Sequence, residues 1–325
     1  MADLTVPAGA AEFLKSNGWS GATITPMTGD ASFRRYFRVT DGARRAILMD
    51  APPPHEDPRP FLSVAAWLGQ RGFAAPAIHC AAPEQGLVLL EDFGDRRMRE
   101  TVDEAPAAGV AHYEAAVDLL VELAKHPAGP FSPYDREALQ REAGLLTEWY
   151  CPAVGLEVDE RGYREAWDAV LAHAQTDEPV TVLRDYHAEN LMLVGDEQRL
   201  GLLDFQDALA GHPAYDLVSL LQDARRDVEP WVEEAMLARY RAATGAGEEF
   251  KAAYHVLGVQ RNAKIIGIFT RLWRRDGKDR YPTLCPRVWA YLQRGLSQPV
   301  LAPVAAWFDS NIPSEKRGDP KVLSA

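Results

Sequence analysis

The stretch Val180–Leu221 reads VTVLRDYHAENLMLVGDEQRLGLLDFQDALAGHPAYDLVSLL, and its polar side chains mark it as the chemical centre of the chain. Asp185 and Asn190 stand five residues apart in a short polar loop, and Asp204 follows after the next two apolar runs. Carboxylate and amide oxygens are ligands that Mg²⁺ accepts, and a further carboxylate can receive or orient a proton. A single residue of this kind is usually a turn former or a helix cap. The prediction of a chemical site therefore depends on the ordered set of all three residues.

The two apolar runs, residues 191–194 and 200–205, surround the turn sequence Gly-Asp-Glu-Gln. Apolar runs on either side of such a turn predict a β-hairpin. Because a hairpin folds the chain back on itself, we expect it to bring Asp204 near Asn190. The sequence therefore predicts two converging oxygen ligands, with the carboxylate of Asp185 close by.

The order of these residues resembles the catalytic and metal-binding segments of protein kinases and their relatives. The triplet Leu-Arg-Asp ending at Asp185 stands where kinases carry His-Arg-Asp, and the triplet Asp-Phe-Gln beginning at Asp204 stands where they carry Asp-Phe-Gly. The resemblance implies phosphoryl transfer from ATP with Mg²⁺. In that chemistry Asp185 acts on the attacking hydroxyl, and Asn190 and Asp204 hold the metal.

Two details are closer to aminoglycoside phosphotransferases and choline kinases. His187 follows Asp185 by two residues, and residues 211–218 read GHPAYDLV, which matches the Gly-x-Pro-x-x-Asp-Leu tail of that family. The likeness implies that Asp216 supports the catalytic loop by accepting its backbone N–H groups. His187 is expected either to hold the loop or to touch phosphate.

The same resemblance implies an α+β, bilobal protein-kinase-like fold. We expect residues 1–94 to form a small lobe with an antiparallel sheet that binds the nucleotide. Residues 95–325 are expected to form a larger, mainly helical lobe with the catalytic loop and the acceptor site. Strand-like segments before residue 50 and helical spacing of apolar residues after residue 95 agree with this division.

The nucleotide end of the first lobe departs from the kinase pattern. The segment beginning at Gly29 stands where relatives cover the phosphates with a glycine-rich loop, and Gly29 and Ser32 are candidate contacts there. Met49 replaces the lysine that kinases carry on the third strand, and Arg34 is the predicted substitute cation. Glu91 falls where the family's hinge holds adenine, or else it caps the preceding strand.

Two helical segments are candidates for the acceptor site. Glu148 and Trp149 end one predicted helix, and a Trp face can stack on a sugar. Residues 261–280 are strongly basic, and Arg261 and Arg271 are candidate contacts to an anionic acceptor. A core tryptophan and a solvated charged face are the structural alternatives. The polar tail from Pro313 is expected to be loose.

Composition excludes several classes of function. The chain of 325 residues has 47% hydrophobic and 25% charged residues, which is ordinary for a globular protein, and its formal net charge is −12. This charge argues against nucleic-acid or anionic-membrane partners. The beginning of the chain lacks the basic head and apolar core of a signal peptide, and three scattered cysteines suit a reducing cytoplasm.

Across residues 25–295 the chain carries, in order, the segments ASFRRYFRV, ILMDAPPP, LLEDFGD, RDYHAENLML and GIFTRL. This series resembles the bacterial anomeric sugar kinases of cell-wall recycling. That resemblance implies a small sugar acceptor phosphorylated at its C1 hydroxyl, N-acetylmuramate or N-acetylglucosamine, and a uridylyltransferase that uses the product. It also makes Met49 an expected departure, because that family lacks the usual lysine. Two alternatives are kept: a kinase for an aminoglycoside, amino alcohol or other sugar, and a non-catalytic nucleotide-binding pseudokinase.

Overall fold

The structure is a computed structural model that describes residues 5–27, 33–104, 106–195 and 199–324. Its strands are β1 Thr23–Pro26, β2 Arg35–Asp41, β3 Arg44–Asp50, β4 Ile78–Ala82, β5 Leu87–Glu91, β6 Val180–Val182, β7 Leu191–Val194, β8 Arg199–Leu202 and β9 Leu209–Gly211.

Helices make up most of the regular structure after β5. The α-helices are α1 Ala10–Ser16, α2 Arg59–Gln70, α3 Met98–Glu104, α4 Pro106–Ala124, α5 Arg136–Ala143, α6 Cys151–Ala153, α7 Glu160–Val170, α8 Ala214–Leu221, α9 Pro230–Thr244, α10 Glu248–Arg274, α11 Cys285–Leu296, α12 Ala302–Asn311 and α13 Pro320–Leu323. A π-helix, Leu146–Tyr150, precedes α6, and short 3₁₀ turns join several of these elements.

Contacts divide the chain into two compact units. The first comprises Met1–Pro106 with Glu189–Ala208, and the second comprises Ala107–Ala188 with Leu209–Ala325. The stretch that carries the candidate site therefore contributes its hairpin to the first unit and the loop of Asp185 to the second.

The first unit is built on a five-stranded antiparallel sheet in the order β1-β2-β3-β5-β4. Side chains alternate between the two faces of each strand, so Phe37 and Val39 of β2 point into one apolar core with Leu48 of β3. Helix α1 supplies Phe13 and Leu14 to that core. The three N-terminal strands and β5 follow the sequence prediction, whereas β4 was not predicted.

The second unit is organised around α10, a helix of 27 residues. Acidic residues begin it and basic residues end it, which complements the helix dipole. Helices α5, α8 and α11 and the π-helix pack against it. Two short strands, β6 and β9, pair antiparallel beside the candidate catalytic loop, and these three-residue strands were not predicted.

The expectation of a loose C-terminal tail is wrong. The hydroxyl of Tyr150 donates to the carbonyl of Lys316 (2.7 Å) and accepts the N–H of Gly318 (2.9 Å). Arg317 donates to the carbonyls of Phe308 and Ile312. A buried tyrosine thus binds the backbone of the tail, and carbonyls at the end of α12 bind its Arg317 side chain. The local sequence of the tail does not reveal these partners.

Within the residues that the structure describes, no helix combines the length and the apolar character needed to cross a membrane.

Candidate functional site

Asn190 and Asp204 lie together at the open end of the β7–β8 hairpin in the first unit. Leu191 pairs with Leu202, and the N–H of Leu203 donates to the carbonyl of Asn190 (3.0 Å). Asn190 therefore precedes one paired strand by a single residue, and Asp204 follows the other by two. The hairpin prediction is confirmed by this register, although residues 196–198 of its turn lie outside the described part of the chain.

The backbone at Asp204 has an unusual conformation. Its φ of 55° lies in the left-handed region, which side chains other than glycine adopt at a cost of about 1–3 kcal/mol. The ring of Phe205 stacks on that of Phe61 from α2, with centroids 5.0 Å apart, and this packing holds the strained turn. The side chain of Asp204 remains 47% exposed, and its Oδ1 accepts a hydrogen bond from Gln206 Nε2 at 2.9 Å.

Arg34 extends toward this carboxylate from the residue just before β2. Its Nη2 lies 3.8 Å from Asp204 Oδ1, and its Nε lies 3.8 Å from Glu56 Oε2. Met49, at the position of the missing lysine, pairs with Tyr36 of β2 and is completely buried. Residues 34 and 36 are two apart, so they lie on the same face of the sheet as Met49, the partner of Tyr36. The guanidinium of Arg34 therefore lies on the face where Met49 supplies no charge.

Glu91 ends β5 and is bound to the start of β4. Its N–H donates to the carbonyl of Ala77 (2.9 Å), and its Oε2 accepts the N–H of Ala77 (3.1 Å). It also lines a cavity of about 640 Å³ in the first unit, together with Phe93, Val194 and Arg199. The residues lining this cavity do not include Arg34, Asn190 or Asp204.

The two remaining candidate nucleotide contacts, Gly29 and Ser32, lie outside the described residues.

In the second unit, the loop of Asp185 is held by a buried carboxylate. Asp216 Oδ2 accepts the N–H of Leu183 at 2.6 Å, and its Oδ1 accepts the N–H of Arg184 at 2.8 Å. The carbonyl of Arg184 accepts the hydroxyl of Ser219 at 3.0 Å. Arg184, like Asp204, has a positive φ, 70°, and these bonds fix its backbone in that unfavourable region.

Arg261 of α10 supports the same loop through Ser219. Its side chain is 4% exposed, and its Nη2 donates to Ser219 Oγ at 2.8 Å. Its Nη1 lies 3.4 Å from the carbonyl of Gln222. The structure thus places this predicted acceptor contact within the internal support of the loop.

The charge of Asp185 is set by its neighbours. Burial would raise the pKa of its carboxyl group, but the electrostatic influence of the His187 ring and of the cations Lys264, Arg261 and Arg184 outweighs burial and holds that pKa below its ordinary value of 3.8. Asp185 is therefore ionised at neutral pH.

His187 is buried within the second unit. Its Nε2 lies 3.1 Å from Nη1 of Arg225, and burial lowers the pKa of its imidazole. The backbone N–H of His187 donates to the carbonyl of Asp185 at 3.1 Å. The structure therefore shows His187 as part of the packing of the loop.

A second polar cluster beside the loop was missed by the sequence analysis. Glu142 of α5 contacts Arg184 and the hydroxyl of Tyr134, and its Oε2 lies 2.9 Å from Nζ of Lys264. Burial would raise the pKa of Glu142, but Lys264 and Arg184 lower it, so the carboxylate is ionised. The available signal was the run Gln-Arg-Asn-Ala-Lys at 260–264, polar residues inside a long helix that is otherwise buried.

Glu148 and Trp149 are brought against α10 by an unusually close backbone contact. A Cβ added to Gly267 would lie 2.3 Å from the carbonyl of Leu145, so only glycine permits the π-helix to sit there. Glu148 is exposed and Trp149 is half-buried. Gly267 is one turn after Lys264 and one turn before Arg271, so the π-helix packs between these two positions.

Arg271 carries a donor that the described structure does not satisfy. Its Nε is buried, and no hydrogen-bond partner for it exists among the described residues. Arg271 and Lys264 are seven residues apart and share one face of α10, about 10 Å apart along its axis. Buried donors normally have partners, so a water or ligand is expected at this atom.

Comparison with known proteins agrees with this geometry. The model of the phosphotransferase enzyme family matches residues 23–254. A protein of Caulobacter vibrioides named N-acetylmuramate/N-acetylglucosamine kinase is 36% identical, and the match covers 95% of this chain and 98% of that protein. A protein of the same name from Pseudomonas aeruginosa is 38% identical, with 88% of each chain covered.

The fold is shared with more distant proteins. The crystal structure of the choline kinase LicA from Streptococcus pneumoniae superimposes with a TM-score of 0.62 at 14% identity, covering 90% of this chain and 96% of that one. The predicted α+β, protein-kinase-like fold is thereby confirmed, and so is the resemblance to the aminoglycoside phosphotransferase and choline kinase group.

Proposed function

The chain belongs to the phosphotransferase enzyme family, and we propose on that premise that it transfers the γ-phosphoryl group of ATP to the anomeric hydroxyl of N-acetylmuramate and N-acetylglucosamine. The observation that carries the proposal is the similarity along nearly the whole length of two kinases named for these sugars. The sugar oxygen forms a bond to the γ-phosphorus, the bond from that phosphorus to the β-phosphate oxygen breaks, and the products are the sugar 1-phosphate and ADP.

Asp185 is proposed as the group that receives the proton of the C1 hydroxyl. Its carboxylate is ionised because the surrounding cations lower its pKa, and an ionised carboxylate accepts a hydrogen bond from the attacking hydroxyl. The hydrogen bonds from Leu183 and Arg184 to Asp216 keep this loop in one conformation. Preorganisation of this kind is the main contribution that phosphoryl transfer requires of a protein, and no phosphorylated enzyme is needed.

Asn190 and Asp204 are proposed to hold Mg²⁺. Both offer oxygen atoms at the same end of one hairpin, and the carboxylate of Asp204 is accessible, which suits a hard cation that binds few protein oxygens. Mg²⁺, when bound, neutralises phosphate charge. Arg34 is proposed to supply the second positive charge toward the phosphates, as a guanidinium suited to phosphate oxygens.

For the nucleotide we propose binding by the first unit, in keeping with the division at residue 94 that the sequence predicts. Gly29 and Ser32 remain proposed phosphate contacts. Glu91 ends the strand at which the chain leaves the sheet. Adenine is proposed to bind the backbone at this point. His187 is proposed to stabilise the loop of Asp185, because its ring is buried and contacts Arg225.

The acceptor is proposed to lie against the π-helix and α10. Trp149 is half-buried, so part of its ring is available to a sugar, and Glu148 beside it is exposed to hydroxyl groups. Arg271 is proposed to bind the lactyl carboxylate of N-acetylmuramate through its unsatisfied donor. Arg261 acts on the acceptor only through the loop it supports.

The proposed setting is the cytoplasm, where ATP is available and where the free thiols of Cys80, Cys151 and Cys285 are stable. A sugar 1-phosphate is the substrate class of uridylyltransferases, so such an enzyme is proposed to consume the product. With a net charge of −12, the chain is not proposed to bind nucleic acid or anionic membranes.

The test is a panel of sugars supplied with ATP and Mg²⁺, with products followed by ³¹P NMR. N-Acetylmuramate and N-acetylglucosamine should both yield an anomeric phosphate, and their methyl glycosides should not react because the C1 oxygen is blocked. When the panel is repeated with Arg271→Gln, kcat/KM should fall about ten-fold for N-acetylmuramate alone. Arg274→Gln, at an exposed position of the same helix, is the control. Phosphorylation of kanamycin with neither sugar accepted would refute the proposal.

A further inference from the structure

Three consecutive residues at the start of β2 each contact the stretch that runs from Asp50, the last residue of β3, to Glu56. The ring of Phe33 stacks on His55 with centroids 5.4 Å apart and planes inclined by 21°. Arg34 Nε lies 3.8 Å from Glu56 Oε2. Arg35 binds Asp50 Oδ2 through Nη2 at 2.6 Å and Nε at 2.8 Å. We call this set the clasp: Phe33, Arg34 and Arg35 with His55, Glu56 and Asp50.

Two features fix the conformation of the clasp, the ion pair of Asp50 with Arg35 and a turn that begins at Pro52. Asp50 is 3% exposed, so its bond to Arg35 is a buried, charge-assisted contact. The N–H groups of His55 and Glu56 both donate to the carbonyl of Pro52, at 3.0 and 3.1 Å. This turn presents the side chains of His55 and Glu56 to neighbouring residues of the chain leading into β2.

Within the clasp, the guanidinium of Arg34 lies near two carboxylates, those of Glu56 and Asp204. The side chain of Arg34 is 12% exposed, against 24% for Glu56 and 47% for Asp204. Partly exposed ion pairs of this length add little to stability. The contact to Glu56 has another consequence, because it restricts the rotamers of a long side chain before any ligand arrives and lowers the entropic cost of using it.

We propose that Glu56 is a positioning residue that holds the guanidinium of Arg34 toward the phosphates of the nucleotide. The inference rests on the proposed function, since it assumes that Arg34 faces phosphate. Glu56 lies in the Pro-rich segment before α2, and a loop therefore supplies the orienting carboxylate. The loop between β3 and α2 thus takes part in nucleotide binding without contributing a direct contact.

The experiment measures the affinity of the full-length protein for Mg·ADP and for AMP by calorimetry. Glu56→Gln should weaken Mg·ADP binding about ten-fold and leave AMP binding unchanged, because AMP lacks the β-phosphate that Arg34 would reach. Glu56→Asp should recover part of the loss. Glu84→Gln, which removes an exposed carboxylate paired with Arg59, is the matched control and should behave as wild type.

A double-mutant cycle separates positioning from general loosening. Once Arg34→Gln has removed the cation, adding Glu56→Gln should cost no further affinity for Mg·ADP. An equal loss of AMP and Mg·ADP affinity in Glu56→Gln, or additive losses in the cycle, would overturn the proposal. Since no acceptor is present, failure of the sugar assay would refute the proposed function and leave this result standing.

Discussion

The turn around Asp204 and the loop of Asp185 hold their charged residues in opposite ways. Asp204 is half exposed, and its ion pair with Arg34 is 3.8 Å long. The loop before Asp185 is anchored by Asp216, which is 2% exposed and accepts two backbone N–H groups at 2.6 and 2.8 Å. One region is loosely paired and open, and in the other a buried carboxylate binds the backbone through two short hydrogen bonds.

The difference matches what each region is proposed to bind. A metal and the phosphates bring their own charges, so the residues that meet them must stay accessible and exchange partners. A proton acceptor must be aimed before the reaction begins, so its loop benefits from a rigid frame. Both regions contain a residue with positive φ, Asp204 in one and Arg184 in the other. Backbone strain is therefore present in the exposed turn as well as in the loop that buried Asp216 anchors.

The largest expected effect comes from removing the proton acceptor. Asp185→Asn should lower kcat by at least about a thousand-fold, because an amide cannot accept the proton, while Mg·ATP affinity stays within about two-fold of wild type. Steady-state kinetics and calorimetry check the two halves. Near-normal turnover with the true sugar would remove Asp185 from this role.

The next effect concerns the open region. Asp204→Ala should abolish the Mg²⁺ dependence of nucleotide binding, because the accessible carboxylate proposed to hold the metal is gone. ATP affinity should be measured with Mg²⁺ and with EDTA. Affinities that still differ between the two conditions as they do in the wild type would show that another group holds the metal.

The comparison predicts a large stability effect at the loop that Asp216 anchors. Asp216→Ala leaves two buried N–H groups without an acceptor and should lower the free energy of unfolding by about 3 kcal/mol. Asp118→Ala, which breaks an exposed pair with Arg239, should cost less than about 1 kcal/mol. Urea unfolding measures both, and equal costs would contradict the contrast between buried and exposed carboxylates.

A smaller effect is expected from the substitute cation. Arg34→Ala should reduce kcat/KM for ATP about ten-fold, the effect of losing one charge-assisted contact. Arg45→Ala removes an exposed arginine from the other end of the β2–β3 hairpin, where Arg45 pairs with Thr40, and should change kcat/KM little. Small and equal effects from the two substitutions would show that Arg34 does not serve the phosphates.

The smallest effect is a predicted absence of pH dependence. The pKa of Asp185 lies below 3.8, so its carboxylate is already ionised above about pH 5, and activity is lost only as pH falls through the lowered pKa. The pKa of His187 is also lowered, by burial, so the ring stays neutral. With N-acetylglucosamine, kcat should be flat from pH 5.5 to 8. An acidic limb near neutral pH would assign the titrating group to Asp216, whose pKa burial raises to about 7, because its protonation removes an acceptor for the backbone N–H groups of the loop.

Local pattern predicted the elements with strong periodicity. The β7–β8 hairpin, the first three strands and the long helices follow from apolar spacing and turn residues. The strands β4, β6 and β9 escaped prediction because their pairing partners, rather than their own composition, stabilise them.

The C-terminal segment shows the same limit in the opposite direction. Its polar residues suggested a loose tail, yet Tyr150, from a helical segment far away in sequence, binds the backbone at residues 316 and 318. Composition reports how readily a segment buries its own side chains. It does not report which distant hydroxyl group satisfies its backbone.

By itself, the sequence determined the polar residues of the central stretch and, through the family resemblance that their order carries, the class of fold, because the order of Asp185, Asn190 and Asp204 is a local property of the chain. The tertiary structure alone decided which charges meet. It placed Glu56 beside Arg34, and it buried Arg261 against Ser219 instead of exposing it. The reason is physical: ion pairs and hydrogen bonds act over a few ångströms, and folding sets those distances between residues far apart in the chain.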